Sequence, residues 1–161
     1  KRIAHIGGYK RTRIFNNRIR GYIDALKKHN LPLDDELLTE SGLTIEDGRE
    51  KMLKLLSLDT PPDAVYVAGD YAALGALQVL KEKNIKIPED IALVGFGNEP
   101  FTDMVTPRIS SVHQHSAEIG KQAANTFLKY MGQDTIEQQL NKIILDSKLI
   151  VRDSSHKKTS L

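Results

Sequence analysis

The chain has 161 residues, 40% hydrophobic and 27% charged, with a net charge of +2. That is one ordinary domain with room for a core, and too little basic excess for this segment itself to bind nucleic acid. There are no cysteines, which excludes a disulfide or thiolate metal site and fits a reducing cytoplasm, and no apolar run is long enough to span a membrane.

The opening Lys-Arg-Ile-Ala-His-Ile-Gly-Gly is too short in apolar residues for a signal peptide. It reads as a buried strand already under way, as in a chain cut from something longer. A polar loop with Lys10, Arg11 and Arg13 follows. Residues 14–28 are spaced as a helix, with Phe15, Ile19, Tyr22, Ile23 and Leu26 on one face, stopped by Asn30 and Pro32. Residues 37–40 are a short second strand. Thr44 caps the next helix, with Asp47 completing a capping box and Met52, Leu53, Leu55 and Leu56 forming its apolar face. Pro61-Pro62 breaks the chain. The continuous apolar run 64–68 is a strand covered on both faces. Asp70 is placed to cap a helix running to about Asn84.

Residues 91–96 form another buried strand. The loop 97–107 holds a single helical turn, and 109–113 is a fifth strand. Ser116 caps a helix through Ile119, Ala123, Phe127 and Tyr130, ended by Gly132. Segments 142–145 and 148–152 are expected to pair as strands, and the polar tail from Ser154 to fray. Strands alternating with helices mean an α/β fold, a parallel sheet with helices on both faces. Ligands bind such a sheet beyond the carboxyl ends of its strands, here the loops 7–18, 41–44, 69–70 and 96–104.

Several segments together are similar to one family. They are Ile3-Ala4-His5-Ile6-Gly7-Gly8, Arg18-Ile19-Arg20-Gly21-Tyr22, Val67-Ala68-Gly69-Asp70 with Ala73-Leu74-Gly75-Ala76, the stretch from Ile87-Pro88-Glu89-Asp90 to Gly95-Phe96, and Pro107-Arg108-Ile109-Ser110-Ser111-Val112-His113-Gln114. In this order they resemble the lactose-repressor/galactose-repressor family of bacterial transcription regulators, over residues 1 to about 153. The resemblance implies one lobe of a two-lobed, periplasmic-binding-protein-like parallel-sheet sandwich. Residues 1–112 would be the C-terminal effector-binding lobe, and 113–142 a crossover helix belonging to the absent first lobe. Residues 143–153 would return as a strand, and 154–161 would be a flexible tail.

The resemblance also implies a cytoplasmic effector-sensing and dimerisation part with a sugar-like small-molecule effector and a homodimer partner. DNA would be reached only through an N-terminal headpiece outside this chain. No cofactor, metal, membrane contact or enzymatic activity is expected. A periplasmic sugar-binding protein of a transport system is the alternative of the same fold.

Arg18 is the first effector-binding candidate, because its fork of donors suits vicinal hydroxyls or a carboxylate. It is expected at a helix start beside the first strand's end. Leu43, Gly69, Asp70, Gly97 and Gln114 complete the effector set. Leu43 stands where several relatives carry an aromatic. Gly69 and Gly97 replace the family's usual Asn and Asp, and both also read as turn glycines requiring positive φ. The expected dimer surface is the helix 70–84 and the loop 98–107, through Leu74, Leu77, Phe101 and Met104. His113 and His115 would share one strand face, but no third ligand accompanies them. Gly95-Phe96-Gly97 lacks the rest of a dinucleotide fingerprint, and no nucleophile sits beside an evident base.

Overall fold

The computed structural model describes residues 1–131 and 142–156. Six strands form one sheet: β1 Ile3–Gly8, β2 Leu38–Ser41, β3 Ala64–Val67, β4 Ala92–Gly97, β5 Ser110–His113 and β6 Lys148–Ile150, in the spatial order β2-β1-β3-β4-β5-β6. The first five are parallel and β6 is antiparallel to β5. The helices are α1 Arg13–Lys28, α2 Ile45–Leu56, α3 Asp70–Glu82 and α4 Ser116–Tyr130, with single 3-10 turns at Asp35–Leu37 and Pro100–Asp103.

The alternation of buried residues explains the layers. Ala4, Ile6, Val65, Val67 and Leu93 point to one face of the sheet, where they form the main core with Met52 and Leu55 of α2 and Ala73, Ala76, Leu77 and Leu80 of α3. His5 and Tyr66 pair across β1 and β3 on the opposite face, where α1 lays down Ile19, Tyr22 and Leu26. Tyr66, Phe96 and Val112 line an apolar groove beside α1 that runs up to Arg18. Thr44 and Asp47 form the expected capping box, each side chain accepting the other's backbone N–H at 3.1 and 3.2 Å.

Three local expectations are corrected. Residues 142–147 form no strand; β6 pairs with β5 instead, whose outer edge would otherwise leave backbone groups unpaired. Ser116 does not cap α4, because His115 occupies the cap position in a left-handed conformation (φ 55°) and offers no side-chain bond. The expected stop at Gly132 lies outside the described residues, and the helix ends at Tyr130.

The tail is not free at Ser154, which is fully buried. Its backbone bonds Leu93 and Arg108, and its hydroxyl accepts the Ser110 N–H and donates to the Leu93 carbonyl. Ser154 thus continues the sheet below β5, where β4 would lack a partner. Residues 157–161 lie outside the described set.

No residue of α4 is buried. Ile119 and Phe127 of its apolar face are 48% and 66% exposed. Among the described residues, no helix is long and apolar enough to cross a membrane.

Candidate functional site

Parallel strands bring the loops after β1, β2, β3 and β4 to one edge of the sheet. Arg18 stands there, in the second turn of α1 rather than at its start, since α1 begins at Arg13. Its Nη1 donates to the Ala68 carbonyl at 2.8 Å, and its guanidinium carbon lies 3.7 Å from the centroid of the Phe96 ring. The cation is therefore fixed between Ala68, just past β3, and Phe96 near the end of β4, the residues that precede Gly69 and Gly97. Half-burial disfavours its charge. Among the described residues no ion pair involves it, and four of its five N–H groups remain for other acceptors.

The two glycines differ. Gly97 has φ +135°, a backbone only glycine adopts without strain. Gly69 is extended at φ −166°, which corrects the expectation of a positive φ there. A Cβ at Gly69 would meet Leu43 at 3.4 Å, an ordinary contact. Gly69 is thus no backbone necessity, and a side chain there would rest on Leu43. Leu43 itself is left-handed (φ 63°) and packs against the main core.

Asp70 does not cap α3 and does not reach the surface. It is the first helical residue, is 2% exposed, and makes no cap bond. Its Oδ2 accepts the Glu99 N–H at 2.8 Å and its Oδ1 accepts the Ser111 hydroxyl at 2.7 Å. Ser111 in turn accepts the Asn98 N–H. The Asn98 side chain accepts from Arg152 at 2.8 Å, and Arg152 also donates to the Ile109 carbonyl and pairs with Asp103. This polar chain ties the floor of the site to the 98–107 loop. Sequence reading missed Ser111, Asn98 and Arg152 because their partners lie 13 to 54 residues away. A Gly-Asn step after an apolar strand was the one local hint.

Gln114 is half-buried in the connection between β5 and α4. His113 and His115 approach with ring centroids 4.3 Å apart, but His115 lies beyond the strand, so the two do not share a strand face. No group of three potential metal ligands occurs among the described residues.

Of the expected dimer residues, Met104 is 79% exposed and Phe101 is half-buried. Phe101 rests 5.2 Å from the ring of Tyr71, an exposed residue the sequence reading passed over. Leu77 is corrected: it is 2% exposed and spent on the chain's own core, as is most of Leu74. α3 shows more apolar width than one sheet-facing stripe because it packs on α2 as well as on the sheet.

Beneath the site His5 is stacked between Tyr22 and Tyr66, at 5.2 and 4.8 Å. Its Nδ1–H donates to the Tyr66 carbonyl, while the buried Nε2 has no partner. Burial, helped by the nearby Arg18 charge, pulls the His5 pKa from 6.5 down to about 4. A proton on Nε2 would meet no acceptor, so the folded state holds His5 neutral. With the folded value below the unfolded one, this stability is complete above pH about 6.5 and is lost as pH falls toward about 4. A loss of roughly 3 kcal/mol across that window is expected. His5→Phe should flatten this part of the stability profile, measured by urea unfolding at stepped pH; an unchanged profile would refute the assignment.

The chain matches the family model for a periplasmic binding protein-like domain over residues 1–155. It is 32% identical to the HTH-type transcriptional repressor CytR of Escherichia coli (strain K12), covering 96% of this chain and 45% of that protein. Among solved structures, a LacI-type putative transcriptional regulator from Bacillus cereus subsp. cytotoxis superposes with a TM-score of 0.91 at 28% identity, over 99% of this chain and 56% of the other. A LacI family regulator from Lactobacillus casei with bound sucrose matches with a TM-score of 0.82 at 28% identity, over 96% and 57%. The chain thus spans about half the length of the relatives it matches. By its sheet, its strand-end site and these matches, the chain belongs to the periplasmic binding protein-like domain family, and its homologues are transcription regulators of the LacI type.

Proposed function

We propose that this chain is the effector-sensing and dimerisation part of a DNA-binding transcription regulator that responds to a sugar or a related small metabolite. The observation that carries this reading is Arg18, held between the ends of β3 and β4 with most of its donors unspent. The repressor relatives and the sucrose-bound neighbour support it. They also favour it over transport, the other use of this fold.

In this reading the ligand binds one arrangement of two lobes better than another and so shifts an equilibrium that a DNA-binding headpiece feels. The headpiece and the facing lobe would lie outside this chain, α4 would pack on that lobe, and the protein would work in the cytoplasm without catalysing a reaction. Leu43, Gly69, Gly97 and Gln114 would border the ligand, with Asp70 shaping the floor from below.

Arg18→Ala in the full-length protein should weaken effector binding by about 1.5–3 kcal/mol, the range for a hydrogen bond to a charged group. Calorimetry showing unchanged affinity would remove Arg18 from the site. A homodimer would use the exposed Tyr71 and Met104 and the half-buried Phe101 beside them. Met104→Asp should then shift the full-length protein toward monomer in sedimentation, and a dimer unaffected by this change would place the interface elsewhere.

A further inference from the structure

We propose that the effector carries a carboxylate or phosphate group that pairs with Arg18, on a body that presents few hydroxyls to this lobe. The proposal rests on the effector-binding reading above and narrows its ligand class. Every hydroxyl of a neutral sugar brings a donor as well as acceptors, so a sugar site must supply acceptors. The described strand-end surface is short of them. Gly69 and Gly97 carry no side chain, Leu43 and Phe96 are apolar, and Gln114 brings a single carbonyl acceptor along with two N–H donors.

The nearby carboxylates are mostly engaged. Glu40 is paired with Lys10, Asp47 closes the cap of α2, and Asp70 is buried with both oxygens accepting bonds. Glu99, beyond Gly97, is the exception. The donors are plentiful: Arg18 is half-buried and has no acidic partner among the described residues, Arg11 stands on the adjoining loop and Arg13 opens α1. A half-desolvated cation in a donor-rich surface is matched by a group made only of acceptors. The guanidinium fork, braced by Phe96 and Ala68, suits a two-oxygen acid face to face.

The test uses the full-length regulator and matched probes: glucose, glucuronate and glucose 6-phosphate; galactose and galacturonate; ribose and ribose 5-phosphate; and inorganic phosphate. Calorimetry at low ionic strength should find at least one acid bound tenfold or more tighter than its neutral counterpart. Arg18→Gln should abolish that preference and Arg18→Lys should keep part of it. Glu99→Gln should leave acid binding intact or strengthen it. A neutral sugar that binds as tightly as its acid and keeps its affinity in Arg18→Gln overturns the proposal, while leaving the effector-sensing reading in place. Loss of neutral-sugar binding in Glu99→Gln overturns it as well, by showing that Glu99 supplies the acceptor. A panel in which neither class binds counts against the acid class and the effector reading together.

Discussion

Gly75→Ala and Gly48→Ala should each destabilise the protein by about 3 kcal/mol or more, the upper range for forcing an added group into a packed interior. Helix propensity alone argues the opposite, since alanine is favoured over glycine inside a helix by about 1 kcal/mol. Geometry decides the sign. A Cβ on Gly48 would collide with the backbone carbonyl of Ala72, and one on Gly75 with the carbonyl of Ile45. Both obstacles are main chain of the facing helix, so no side-chain rotation relieves them. α2 and α3 would have to move apart, opening the core around Met52, Leu55 and Ala76. Gly21→Ala is the internal control. It also lies within a helix, but nothing stands within 4 Å of an added Cβ, so it should stabilise by about 0.5–1 kcal/mol. Denaturant unfolding of the three variants measures the contrast. Equal effects at all three positions would refute the close approach of α2 and α3.

Asp70→Ala should cost about 2–4 kcal/mol. The Glu99 N–H and the Ser111 hydroxyl would lose their acceptor, and an unsatisfied buried polar group costs about 1–3 kcal/mol. Asp70→Asn keeps the shape but turns one acceptor into a donor, so it should fall between wild type and Asp70→Ala. The damage should extend beyond stability. Asp70 anchors the backbone at Glu99 directly and at Asn98 through Ser111, so its loss frees the loop that carries Gly97 at one end and Phe101 at the other. Effector affinity in the full-length protein should therefore drop even though Asp70 is buried. An Asp70→Ala protein unfolding within 1 kcal/mol of wild type would contradict the buried bonds, and unchanged effector affinity would confine Asp70 to a stabilising role.

The sequence by itself determined the sheet, because its signals are local. Apolar runs such as 64–67 and 92–96 are bounded by proline and glycine, the capping box at Thr44 and Asp47 involves neighbours three residues apart, and the helical spacing of 14–28 marks α1. Alternation of these elements was enough to put Arg18, Gly69 and Gly97 at the same edge of a parallel sheet. Where pairing depends on residues far apart in the chain, only the tertiary structure decided. Asp70 looked like a helix cap because it precedes a helix. It became a buried brace because Gly95 leaves room for its carboxylate and Ser111, 41 residues on, bonds it. Leu77 looked like spare apolar surface until the fold enclosed it in the core with Ala73, Ala76 and Leu80, and a polar Ser154 proved to be core because it fills the edge left open below β5. A hydrogen bond or a packed face is satisfied by whichever group arrives in space, and that partner leaves no mark in the residues on either side.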